Sequence, residues 1–334
     1  MTFWQDLEIR FEVAKAQLEL SPGEFMIDNL SNVEDTKGNN GTIGVLIVTN
    51  LRLVWVNPNK PKQNLSVGWN CTRTLSIQST VSKIRGQTQA LFVDAFHKGT
   101  RYQFIFTHCV PGTPRLFSTV QAVHRAYDSS RLYRELKLRG SLFSEGKLNI
   151  LPDEQLYEVI DSVWNLASDQ GNLGTMYLTN IRIVWRANCT ASFNVSIPYT
   201  RTSVIKVRKS KFGPALVVQT CASCGGFVLG FRVDPVDRLS NIAQMIQNLS
   251  KIANDSPLFG VSFSMEEAPP PLEELKVNAK SESVAFDEEF VFEKKNTYVV
   301  DGNASGCVYS NELGLAIQPI GEGQSLKEIW NIVS

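Results

Sequence analysis

Over the first third of the chain, apolar residues fall in seven short runs, at residues 25–30, 43–48, 51–56, 65–69, 74–78, 90–95 and 102–107. Val, Ile, Phe, Trp and Thr dominate them, and these side chains suit a pleated surface, so the runs predict strands. Turn formers separate them, as in Gly38-Asn39-Asn40-Gly41 and Asn57-Pro58-Asn59. Thr49-Asn50 lies between two runs, where Asn suits the left-handed conformation of a tight hairpin. The period then changes. Pro114 fits a first helical turn, and Phe117, Val120, Val123, His124 and Tyr127 follow at three- and four-residue spacing. That spacing predicts an amphipathic helix continuing to about Lys137, with His124 packed on its apolar side.

The pattern then repeats. At an offset of 130 residues Gly41, Gly44, Thr49, Asn50, Arg52 and Trp55 return as Gly171, Gly174, Thr179, Asn180, Arg182 and Trp185. Between residues 20 and 69, 12 of 50 positions are identical without a gap. The second copy closes with its own helical spacing, Pro235 leading into Leu239, Ile242, Ile246, Leu249 and Ile252. A long period seen twice means two copies of one globular domain, because a solenoid needs at least about three short units. Seven strands and one amphipathic helix suit a small, strongly bent barrel whose open end the helix plugs. The expected organisation is an N-terminal extension (1–19), two domains (20–140 and 141–255) and an acidic C-terminal arm (256–334). Trp55 and Trp185 are expected core anchors. Arg52 and Arg182 alternate with apolar neighbours and are expected to point away from the core, in a shared structural salt bridge or a ligand contact.

Composition fits soluble globular protein, with 43% hydrophobic and 20% charged residues. No apolar run approaches the roughly 18 residues of a membrane span, and the first residues lack the basic-then-apolar order of a secretory signal. Six cysteines in such a chain suggest reduced thiols in the cytosol. The zero net charge hides segregation: basic against acidic residues number 17 to 11 over 1–140, 11 to 9 over 141–255, and 5 to 13 over 256–334. Basic bodies with an acidic tail favour an anionic partner surface (membrane, nucleic acid or acidic protein), or a tail that neutralises the bodies within a complex.

The repeated motif, Gly-x-apolar-x-apolar-Thr-Asn-x-Arg-apolar-x-Trp and then Asn194-Val195-Ser196-Ile197-Pro198-Tyr199, resembles pleckstrin-homology-like domains of the GRAM and GLUE type. Longer stretches, among them Glu34-Asp35-Thr36-Lys37-Gly38-Asn39-Asn40-Gly41, Val123-His124-Arg125-Ala126-Tyr127 and Glu312-Leu313-Gly314-Leu315-Ala316-Ile317, resemble the tandem pleckstrin-homology-like subunits of the BBSome. That likeness covers nearly the whole chain and is weakest over 281–305. It implies a mainly β protein with capping helices: two tandem seven-stranded barrels plus an extended arm. It also implies a non-catalytic subunit of a coat-like complex that carries membrane proteins in and out of cilia. The implied partners are other BBSome subunits, phosphoinositide membrane and, indirectly, an Arf-like GTPase and ciliary cargo. Nucleic acid, cofactor and metal are not implied. The implied location is cytoplasm and cilium, at the ciliary membrane and basal body.

His108-Cys109-Val110-Pro111-Gly112-Thr113-Pro114-Arg115 matches the phosphate loop of cysteine-dependent phosphatases, but Pro111 and Pro114 have no N–H to give the phosphoryl oxygens. No phosphatase activity is expected. Cys221-Ala222-Ser223-Cys224 has zinc-like spacing without a second pair, and Gly225-Gly226 points to a hairpin turn. Residues 31–37 and 162–169 read as the first hairpin loops, where Glu34, Asp35 and Asp169 would repel phosphate. Lipid contact is therefore expected at other basic residues: Lys60, Lys62, Lys83 and Arg85 in the first copy, and Arg186, Arg208, Lys209 and Lys211 in the second. Such a site is shallow and electrostatic, worth about 1 kcal/mol per residue; the alternative is that these side chains dock acidic partners. In the arm, 281–293 reads as poorly ordered alone and 314–317 as a short strand. Residues 325–333 read as a helix whose Leu326, Ile329, Trp330 and Val333 face should dock on a neighbouring subunit.

Overall fold

The protein is described by a computed structural model over residues 5–39, 41–166, 171–263, 298–301, 308–310 and 315–317. The described residues divide into two compact units, one holding Gln5–Glu19, Met26–His124 and the described residues from Phe263 on, the other Leu20–Phe25 and Arg125–Ser262.

The first copy begins with β1 (Ile9–Phe11) and the short helix α1 (Lys15–Leu18), followed by the seven expected strands. These are β2 (Met26–Asp35), β3 (Thr42–Thr49), β4 (Arg52–Val56), β5 (Asn64–Gly68), β6 (Thr72–Ser82), β7 (Gly86–His97) and β8 (Thr100–His108). They form one antiparallel sheet in the order β1-β5-β4-β3-β2-β8-β7-β6, bent into a half-barrel. Most strands outrun their apolar runs, because the backbone ladder continues where side chains have turned polar. Strand β2 shows the consequence: residues 31–35, read as loop, lie within it.

Helix α2 (Arg115–Ser129) covers the half-barrel with Leu116, Val120 and Val123, all fully buried. The His124 ring lies 5.7 Å from the Trp69 ring, tilted at 60° to it. The helix stops well before Lys137. Its last carbonyls are taken by Arg134, whose guanidinium donates to Tyr127 O at 2.5 Å and Ser130 O at 3.2 Å, and orphan carbonyls satisfied this way end a helix.

The second copy rebuilds the same plan from β9 (Lys137–Leu138), a small hairpin of β10 (Phe143–Ser144) and β11 (Lys147–Leu148), and seven longer strands. These are β12 (Leu156–Leu166), β13 (Asn172–Thr179), β14 (Arg182–Ala187), β15 (Asn194–Pro198), β16 (Thr202–Ser210), β17 (Gly213–Thr220) and β18 (Val228–Val233). Their order, β16-β17-β18-β12-β13-β14-β15-β9, is the first sheet's order read from its other end. Helix α3 (Leu239–Asp255) sinks Leu239, Ile242, Ile246 and Leu249 into one core with Trp185, Phe231 and Val233.

Equivalent residues do equivalent work. Each first long strand carries a bulge, at Leu30/Val33 and Ile160/Val163, with Asn32 and Ser162 left-handed at φ 56° and 61°. The indole N–H of Trp55 donates to Val33 O at 2.9 Å, and that of Trp185 to Val163 O at 3.0 Å. Both tryptophans are fully buried, as expected of core anchors. A Cβ on Gly44 or Gly174 would overlap the indole, at 2.5 Å and 2.7 Å. Asn64 and Asn194 each clamp the chain before their sheet, accepting from Val13 N and Gly140 N at 2.9 Å.

Two expectations are corrected here. Asn50 is not left-handed; the Thr49 hydroxyl accepts from Leu51 N and Arg52 N at 3.1 and 2.9 Å, and Thr179 does the same for its own turn. Arg52 and Arg182 do not point out to solvent, since β4 and β14 are covered on both faces. Arg52 donates to the carbonyls of Gln17, Leu18 and Glu19 at 3.2, 3.4 and 2.9 Å. Arg182 grips both oxygens of Glu154 at 2.7 and 2.8 Å, with both side chains 0% exposed.

Of the arm, β19 (Val299–Asp301) pairs with β8, and β20 (Val308–Ser310) pairs with β21 (Leu315–Ile317), the strand expected near 314–317. Residues 281–293 and the docking face of Leu326, Ile329, Trp330 and Val333 lie outside the described residues, as does Asp169.

Candidate functional site

In the first copy the loops 36–41, 57–63 and 83–85 join successive hairpins, and contacts among them gather the basic residues. Gly38 and Asn39 from the first loop, with Thr42 at the start of β3, face Asn57, Asn59, Lys60 and Gln63 from the second across an open cleft of about 370 Å³. On its other side the first loop meets the third, where a Cβ on Gly41 would lie 2.9 Å from the Lys83 side chain. Lys60 and Lys83 therefore flank one loop. Lys60, Lys62, Lys83 and Arg85 are all exposed, and Arg85 donates to His108 O at 3.0 Å.

The acids thought to spoil this surface do not face it. Glu34 and Asp35 are both 0% exposed. Glu34 accepts from the Ser82 hydroxyl and from Lys83 N, the latter at 3.1 Å, so its carboxylate holds the basic turn in place. Asp35 accepts from Gly38 N at 3.1 Å, Asn39 N at 3.2 Å and Asn39 Nδ2 at 2.7 Å, shaping the 36–41 loop. Burial pushes the Asp35 carboxyl above the ordinary carboxylate range, against the pull of these donors. Burial also lowers Lys37, whose ammonium donates to Gln103.

The second copy scatters its candidates. Arg208 and Lys209 end β16, and Lys211 follows in the turn to β17, all exposed. Arg186 sits apart on β14. Its guanidinium donates to Gly146 O at 2.9 Å and lies over the Phe143 ring at 4.9 Å, which ties the β10–β11 hairpin to the sheet. Three of the four residues share one hairpin end, and the fourth is occupied structurally.

Around Cys109 the geometry is the reverse of an activated thiolate. Burial, with the charge of Glu34, pushes its thiol up to about 11. The His108 ring takes Val110 N at 3.1 Å and the Thr113 hydroxyl at 2.8 Å, folding the segment onto itself. Arg115, which would hold phosphoryl oxygens in a phosphatase, forms a two-point ion pair with Asp28 at 2.6 and 2.9 Å. The segment is a strand-to-helix turn.

One feature of the tail is a correction as well as a site. A tail without a partner in its own chain was expected, yet Tyr298 is 1% exposed within the first copy. Its ring lies 5.3 Å from Phe11 and 4.8 Å from Phe104. Its hydroxyl donates to Asp35 and accepts from Asn39 Nδ2 at 3.0 Å. Val299 and Asp301 then pair with Tyr102 and Arg101 of β8. The sequence carried a faint signal, the run Thr297-Tyr298-Val299-Val300, hidden beneath its acidic surroundings.

No helix among the described residues is long and apolar enough to cross a membrane, and no cluster of three or more metal-ligating side chains occurs among them. Residues 24–129 match the Bardet-Biedl syndrome 5 protein N-terminal PH-like domain, and residues 137–263 match its second PH-like domain. The chain is 48% identical over 333 residues to BBSome complex member BBS5 of Danio rerio, covering 99% of this chain and 97% of the relative. The Homo sapiens protein of the same name is 47% identical over 334 residues, with 99% and 98% covered. BBSome complex member bbs-5 of Caenorhabditis elegans is 40% identical over 350 residues, with 98% and 96% covered. Two pleckstrin-homology-like domains in the matching order, and likeness along nearly the full length, place the chain in the Bardet-Biedl syndrome 5 protein family.

Proposed function

We propose that the chain is a non-catalytic subunit of a BBSome, the coat-like complex that carries membrane proteins in and out of cilia. In this reading it works in the cytoplasm and cilium, peripheral to the membrane, with an Arf-like GTPase and cargo as indirect partners. Its first copy touches phosphoinositides weakly through Lys60, Lys62, Lys83 and Arg85. The observation that carries the lipid contact is the pairing of four exposed basic residues on adjoining loops with inward burial of Glu34 and Asp35. Arg208, Lys209 and Lys211 add a smaller second patch. Each basic residue near an anionic surface is worth about 1 kcal/mol, so binding is weak per copy and gains through avidity. Flotation with phosphoinositide vesicles at low and high salt tests this. Reversing Lys60 and Lys62 together should reduce flotation, as should reversing Lys209 and Lys211. Binding that resists salt and survives both reversals would sink the proposal.

A second reading, docking on proteins alone, is favoured by β6. This strand ends its sheet and exposes Ile77 (41%) and Val81 (74%), an apolar edge suited to adding a partner's strand. The Leu326, Ile329, Trp330 and Val333 face belongs to the same reading. Deleting residues 318–334 removes that face but keeps Tyr298. Complex recovery from ciliated cells should then fall sharply, and normal recovery would remove the face from the interface.

A further inference from the structure

The Cys221-Ala222-Ser223-Cys224 segment joins β17 to β18 and has no role in the reading above. It folds as a single 3-10 turn over Ala222–Cys224. Cys224 N and Gly226 N donate to Cys221 O at 3.0 and 3.1 Å. Gly225 and Gly226 then reverse the chain at φ 95° and 61°, a region open to glycine. This turn sets two thiols side by side. The Ser223 hydroxyl lies between them, 3.1 Å from Cys221 Sγ and 3.9 Å from Cys224 Sγ. Both cysteines are half-buried, within reach of solvent, whereas Cys71 is buried. Among the described residues no third ligand joins them, so the four-ligand set of a structural zinc is not assembled there. Two adjacent, accessible thiols are instead suited to exchange with a disulfide.

We propose that Cys221 and Cys224 form a dithiol–disulfide site that is oxidised by small-molecule disulfides of the glutathione type. Cys221 is the attacking sulfur. The adjacent Cys224 thiol is the main cause that pulls the Cys221 thiol below the ordinary thiol range; burial opposes this, while the Ser223 hydroxyl and the Arg201 charge assist. Cys224 is pushed up, chiefly by its neighbour Cys221 and then by burial. The Cys221 thiolate attacks one sulfur of the small disulfide, making a mixed disulfide and releasing one thiolate. Cys224 then loses its proton, attacks Cys221 Sγ and displaces the second thiolate. In total, two protein thiols are oxidised to one disulfide and one small disulfide is reduced to two thiols. The new bond spans only the turn, so the strands keep their register. It stiffens the tip beside exposed Phe227 (45%) and Val228 (64%), altering a surface and leaving the core as it was.

The test incubates the full chain with glutathione disulfide, blocks remaining thiols with iodoacetamide and reads each cysteine by peptide mass spectrometry. Exposed Cys189 is the internal control. The expected result is one peptide, lighter by two hydrogens, in which Cys221 and Cys224 both escape alkylation. Before oxidation, Cys221 should alkylate at pH 6 about tenfold or more faster than Cys189. Cys224→Ser should trap the glutathione adduct on Cys221, and Cys221→Ser should leave Cys224 slow. Circular dichroism confirms that each variant is folded. An unchanged wild-type peptide, or a Cys221→Ser chain that reacts as fast as wild type, overturns the proposal.

Discussion

Four side chains decide most of what happens at the scale of single residues. Trp55 and Trp185 each fill a core and satisfy a bulge carbonyl. Replacing either with Ala should cost about 3–5 kcal/mol in urea unfolding. Phe keeps the ring but leaves that carbonyl unpaired, for about 1–3 kcal/mol. Glu154→Gln should also be severe, about 3–5 kcal/mol, because Arg182 would keep a charge fully out of water. Asp35 sets a pH dependence. Its folded value lies above the ordinary 3.8, so the folded chain holds that proton more tightly than the unfolded one does. The stability it contributes is therefore present below pH 3.8 and lost as pH rises through the raised value. Denaturant midpoints between pH 4 and 7 should flatten in Asp35→Asn. A midpoint profile unchanged by the substitution would show that the buried carboxyl does not drive it.

At the scale of elements, what could be read in advance depended on how far a pattern of burial reports backbone pairing. The apolar runs located β2 to β8 of the first copy but not the three-residue β1, and the 130-residue offset carried them to the second, because half-buried strands alternate visibly. Their ends were hidden. Past its bulge strand β2 continues through Glu34 and Asp35, residues whose polarity reads as loop but whose backbone still pairs with β3 and β8. Arg52 and Arg182 were misplaced for a related reason: alternation assumes one wet face, and β4 and β14 have none. The basic loop residues were legible from composition, but the inward turn of their acidic neighbours needed three dimensions. Strand β19 was passed over, since three paired residues leave almost no periodicity. Its dependence on Tyr298 can be measured. Tyr298→Ala should speed hydrogen exchange at Tyr102 and Val299 while leaving the β4 amides protected. If exchange at Tyr102 is unaltered, the tyrosine does not hold the strand.

For the molecule as a whole, duplication gave two sheets with one plan, and divergence gave them different surfaces. One carries its basic residues on neighbouring loops, with Lys60 at a cleft; the other spends Arg186 on its own hairpin and carries a thiol pair. Strand β19 of the arm returns to the first copy, although the second copy lies between them in sequence. A protease cut within residues 139–147 would thus sever the backbone without at once parting its products. The N-terminal product would hold the groove for Tyr298, and the C-terminal product would carry Tyr298 itself. Cutting turns a tethered contact into a bimolecular one, whose occupancy follows concentration. Nicked wild-type chain should run as one species when concentrated and dissociate on dilution, and nicked Tyr298→Ala chain should dissociate at a higher concentration. The tail strand keeps its hold on the first copy across the break, so an intact band on a native gel is no proof of an intact chain.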